Sequence, residues 1–129
     1  MRKEIGRKKA SEAMKLAIIG SRTFNDYYAA EQVFLKEFRE QDITEIVSGG
    51  AKGADLIGKD IAVNFKLKYK EFLPDWQKFG RSAGFRRNQD IIDYCDLVLA
   101  FWDGKSKGTA NSIDIATRQG KKVITHLFG

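Results

Sequence analysis

Short runs of apolar residues recur along the chain, each closed by glycine or polar residues and followed by a stretch with helical spacing. Residues 15–20 are the first such run. They are apolar without alternation, as a strand covered on both faces reads. After the turn at 21–24, Asn25 or Asp26 can cap a helix whose apolar positions Ala30, Val33, Phe34 and Phe38 keep helical spacing, ending near Gln41. A second strand is predicted at 43–48, and a glycine-rich turn then leads into a helix to about Phe65 with Leu56, Ile57 and Ile61 inward. The third strand, 68–73, is stopped by Pro74. Residues 75–81 read as irregular, and a helix is predicted over 82–94. The fourth strand is 97–101, followed by a glycine-rich turn at 102–109. A helix with Ala110, Ile113 and Ala116 on one side then runs to Gly120, and the last strand is 123–127.

Five apolar strands alternating with helices imply right-handed crossovers and a parallel sheet with helices on both faces. The predicted fold is α/β, a three-layer, doubly wound, Rossmann-like sheet of about five strands in the order 3-2-1-4-5. There are no repeats, low-complexity tracts or proline-rich linkers. One domain is therefore expected over 15–129, preceded by a basic arm at 1–14.

With 129 residues, 43% of them hydrophobic, the chain can build one core. The longest apolar run, 97–102, is far short of the roughly 20 residues a membrane span needs, so no membrane partner is expected. Cys95 is the only cysteine, which excludes an internal disulfide; with no apolar leader near Met1, a cytoplasmic location is expected. The net charge of +6 sits mostly in the first fifteen residues, where Arg2, Lys3, Arg7, Lys8, Lys9 and Lys15 face only Glu4 and Glu12. Such an arm can touch nucleic-acid phosphates or stay solvated.

In open α/β sheets, ligands bind outside the carboxyl ends of the strands. Three turns there are rich in glycine and small residues: Gly20, Ser21 and Arg22; Ser48, Gly49, Gly50 and Gly53; and Gly104, Ser106, Gly108 and Thr109. Glycines let main-chain N–H groups approach phosphate oxygens, and the following helix N-terminus adds about half a positive charge. Tight turn geometry is the competing explanation for each glycine. Neither the Walker A pattern nor G-x-G-x-x-G is present, which removes the common ATPase and dehydrogenase readings. Arg22 can pair with a phosphate. Asp55 can bond ribose hydroxyls or simply favour its helix N-terminus. Arg86 and Arg87 are neighbours in the helix at 82–94, where one can face the cleft and the other solvent. Trp76 and Trp102 offer flat faces for a base. His126, with no cysteine or second histidine near it, reads as structural. No metal site and no required cofactor are expected.

Taken together, Gly20-Ser-Arg-Thr-Phe-x-Asp26, Ser48-Gly-Gly-Ala-x-Gly-Ala-Asp55, Pro74-x-Trp76, Gly80-x-x-Ala-Gly84-x-x-Arg87-Asn88 and Ala100-Phe-Trp-Asp-Gly-x-Ser-x-Gly-Thr109 resemble the YspA-like (cpYpsA-related) branch of the SLOG superfamily. The resemblance runs from about Lys15 to the C-terminus. It implies a Rossmann-like fold and a nucleotide-type ligand, such as NAD, ADP-ribose or a nucleoside phosphate. Relatives include the LOG phosphoribohydrolases and the DNA-processing protein DprA, so N-glycosidic cleavage and nucleic-acid binding are the alternatives. LOG enzymes use a glutamate after their Gly-Thr pair together with an arginine. Aligned on Gly108 and Thr109, this chain has Ser112 in the glutamate's place, while Arg87 matches the arginine; Asp55 or Asp103 would then have to supply the carboxylate. The resemblance also leaves open a homo-oligomer paired through helices, for which Tyr27, Tyr28 and Phe85 are the residues to inspect.

Overall fold

Five strands are joined by five α-helices in the computed structural model, which describes residues 13–129. The basic arm expected at 1–14 lies almost wholly outside the described residues. The order is β1 (Ala13–Gly20), α1 (Tyr27–Phe38), β2 (Asp42–Ser48), α2 (Ala54–Asn64), β3 (Lys68–Glu71), α3 (Trp76–Phe79), α4 (Ala83–Tyr94), β4 (Leu97–Trp102), α5 (Lys107–Arg118) and β5 (Lys122–Leu127). A 3-10 turn, Gly80–Ser82, joins α3 to α4. All strand pairs are parallel, in the order β3-β2-β1-β4-β5. This is the doubly wound Rossmann-like sheet the sequence pattern predicts.

The apolar strand residues point alternately to two cores. Leu16, Ile18, Ile46, Leu99 and Phe101 face α1 and α2, packing on Phe34, Phe38, Ile57 and Ile61. Ala17, Ile19, Val47, Val98 and Ala100 face α4 and α5, packing on Ile91, Ile92 and Ala116. Burying each large apolar side chain contributes about 1.5–3 kcal/mol. Phe24, in the turn after β1, stacks on Phe101 with ring centroids 4.4 Å apart and seals the first core beneath the strand ends.

Departures from the predicted elements have local causes. The third strand stops at Glu71, because Phe72 N–H donates to Ser48 O at the very end of β2 and no strand continues beside 72–73. Residues 76–79 form a short helix, capped by the Asp75 carboxylate accepting from Lys78 N–H. Leu56 is 48% exposed, since the buried face of α2 runs through Ala54, Ile57, Gly58 and Ile61. Of the two candidate caps for α1, Asp26 does the capping, accepting from Ala29 N–H. No helix among the described residues is long and apolar enough to cross a membrane.

Candidate functional site

In this topology the connection from β1 leaves to the α1/α2 side and that from β4 to the α4/α5 side, so a crevice opens between their carboxyl ends. A cleft of about 470 Å³ lies there. Of the residues singled out by sequence, Gly20, Ser21, Arg22, Asp55, Arg87, Asp103, Ser106, Gly108 and Thr109 line it. Ser48, Gly49, Gly50, Gly53, Trp102 and Gly104 do not.

The turn after β2 turns inward. Asp55 is 7% exposed, and its carboxylate accepts from Ala51 N–H at 3.1 Å, folding the loop over its own helix. Gly53 packs where a Cβ would meet the carbonyl oxygens of Ser21 and Arg22 at 2.5 Å, and its φ of +76° is one that side chains avoid. Ala54 N–H donates to Ser21 O, so the N-terminus of α2 is directed at a backbone carbonyl. Ser48 is fully buried, its hydroxyl within 2.6 Å of Tyr69 Oη and donating to Asp55 O. The Gly49 carbonyl accepts from Arg87 Nη1 at 2.8 Å. The glycines of this turn thus serve close packing, and its Ala51 amide is taken by Asp55.

The turn after β4 is built differently. Asp103 Oδ1 accepts from Lys105 N–H, Ser106 N–H and the Ser106 hydroxyl, curling 103–106 into a tight loop with Gly104 at its tip (φ +81°). Ser21 Oγ bridges to this loop, accepting from Asp103 N–H at 3.1 Å and lying 2.9 Å from Ser106 Oγ. Trp102 Nε1 donates to Ser106 O, which fixes the indole outside the cleft lining. No side chain caps α5. The N–H groups of its first turn therefore lack intrahelical partners, and two of those residues, Gly108 and Thr109, line the cleft.

The two acids differ in kind. Burial pushes Asp55 up to about 6, against the opposing pull of the Ala51 amide and Arg87. Asp103, half-buried and bonded by the Ser106 and Lys105 amides, is held down to about 2. Asp55 can therefore exchange a proton near neutrality, whereas Asp103 stays a fixed anion. Arg87 is positioned by Gly49 O and by Asn88 Oδ1, which accepts from its Nε. Arg86 instead lies over the Phe79 ring, away from the cleft.

The cleft also contains Thr23, Trp76, Arg81, Gly84, Phe85, Asn88 and Ser112. Thr23, Trp76, Gly84 and Asn88 stand in the motifs above, Ser112 was reached only through the LOG alignment, and Phe85 was singled out only as a pairing residue. Arg81 has no signal beyond its charge. Its place follows from the 3-10 turn that swings Gly80–Ser82 toward the cleft. Among the described residues no group of His, Cys, Asp and Glu is arranged to hold a metal ion.

Comparison with solved structures finds the same fold in DNA processing protein A from Helicobacter pylori, described for its single-stranded DNA binding mode. The TM-score is 0.66 at 24% identity, over 87% of this chain and 64% of that one, so the chain spans less than two thirds of that protein. None of the curated proteins matches the sequence. The profile of one family does match, over residues 14–79, and that stretch carries β1, the latched β2 turn and the Trp76 segment. By that match over half its length, the chain belongs to the YspA, cpYpsA-related SLOG family.

Proposed function

We propose that the cleft binds a nucleotide or nucleotide-derived phosphate compound, of the NAD, ADP-ribose or nucleoside-phosphate type, with its phosphate at the N-terminus of α5. The observation that carries this reading is the asymmetry between the two helix N-termini at the crevice. Neither helix has a side-chain cap, but at α2 the Ala54 amide is taken by Ser21 O and the preceding loop is latched by Asp55, while the first turn of α5 opens into the cleft beside Ser106. Uncapped amides and the helix dipole favour an anion. Arg22 and Arg81, lining the same cleft, add charge that can pair with phosphate oxygens.

Thermal-shift measurements against ADP-ribose, NAD, AMP and inorganic phosphate test the reading. A ligand present at 100 times its Kd stabilises by about 2.7 kcal/mol, a shift of several degrees for a chain of this size. Arg22→Ala with Arg81→Ala should remove most of that shift. No stabilisation by any of the four at millimolar concentration would refute the proposal.

A second reading, cleavage of an N-glycosidic bond, is favoured by one observation: Asp55 is a buried cleft acid that titrates near 6 beside an arginine. Release of free base from AMP, abolished by Asp55→Asn, would support it.

A further inference from the structure

Aromatic rings on this surface are mostly covered. Tyr94 packs edge-on to Phe72 and lies under Lys15, Tyr69 lies under Lys59, and Phe79 lies under Arg86 at 4.4 Å. Trp76 and Phe85 are the exceptions within the cleft. They are 56% and 51% exposed, both line it, and neither has a cation or a second ring against it among the described residues. Core packing does not explain Trp76, because α3 buries no residue. Its ring edge rests near Gly84, 3.8 Å from where a Cβ would sit, so the start of α4 supports the indole without covering it.

We infer that Trp76 and Phe85 form a stacking subsite for a planar heterocycle, so that the ligand is a base-bearing nucleotide and not a bare sugar phosphate. This rests on the phosphate reading above. The two rings and the α5 N-terminus line one cleft, matching a ligand with a flat apolar end and an anionic end. Stacking needs only a π face, so it detects the presence of a base more than its identity. Asn88, one helical turn from Phe85, is already engaged: its amide donates to Gly108 O and its carbonyl accepts from Arg87. Selectivity among bases at this subsite should therefore be small.

Titrations of the full chain with AMP and with ribose 5-phosphate decide the matter. AMP should bind about tenfold or more tightly than ribose 5-phosphate, with CMP and GMP within a few-fold of AMP. AMP, but not ribose 5-phosphate, should quench Trp76 fluorescence, and Trp76→Phe should abolish the quenching while keeping most of the affinity. Trp76→Ala with Phe85→Ala should bring AMP down to the affinity of ribose 5-phosphate, which itself stays unchanged. Circular dichroism of each variant checks the fold. Equal affinity of the wild type for both compounds overturns the stacking subsite and leaves the phosphate reading standing; binding of neither overturns both.

Discussion

Lowering the pH from 7 to 4 should strengthen the fold, and the cause is one residue. The folded-state pKa of Asp55 is raised from 3.8 to about 6 by burial, so its contribution is fully present below 3.8 and lost as pH rises through about 6. The gain is about 1–3 kcal/mol, read from denaturant midpoints across that range, and Asp55→Asn should flatten the slope. An unchanged slope in that variant would move the titration elsewhere. Asp103 acts in the opposite sense. Its pKa is depressed by main-chain amides, so its contribution is present above 3.8 and lost as pH falls through about 2. Gly53 offers a test without titration. Its positive φ and the 2.5 Å approach to two backbone carbonyls leave no room for a methyl group, so Gly53→Ala should cost at least about 2 kcal/mol by denaturant unfolding. The pattern S-G-G-A-x-G-A-D announces such a turn in sequence, but not which way its amides face. That depends on Asp55 reaching back four residues to Ala51 and on Arg87 bonding the Gly49 carbonyl from α4, and the second of these is a tertiary contact that spacing alone does not encode.

At the scale of elements, α5 carries the clearest test. Gly108 sits in its first turn, where an added Cβ would be 3.7 Å from Asn88 Nδ2, an ordinary contact. Gly108→Asp should therefore fold, and gain roughly 0.3–1 kcal/mol from a carboxylate near the helix N-terminus. The same carboxylate would occupy the anion position, so the variant should lose stabilisation by AMP or ADP-ribose in thermal-shift assays. A variant that still binds would place the phosphate elsewhere. Element order and sheet topology were legible in the sequence because strands covered on both faces read as unbroken apolar runs. The helical contributors to the cleft were less so. Thr109, Ser112 and Ala116 form the buried face of α5, yet hydrophobic spacing points to Ala110, Ile113 and Ala116, because small polar residues carry no apolar signal. Arg81 and Phe85 are placed by the α3 to α4 connection, whose geometry is set by the Asp75 cap and Gly80 at φ +55°, not by periodicity.

For the whole molecule, charge separates two modes of binding. Most of the net charge of +6 lies in the first fifteen residues, so the remainder is close to balanced. Any affinity for single-stranded nucleic acid should therefore fall when the chain starts at Met14, and its salt dependence should flatten by about 0.7 log unit per lost phosphate contact. Filter binding of both chains to one oligonucleotide measures this, and equal affinity would put the nucleic acid on the folded domain. The cleft, by contrast, is bordered chiefly by the β1 and β4 turns, α3, α4 and α5; from the other layer it takes only Ala51 and Asp55. Its mouth and the outer surface of α1 and α2 thus belong to different sides of the molecule. A bulky neighbour could be attached to that second side, as a fluorescent reporter or a fused polypeptide, without shading the doorway through which a small molecule enters.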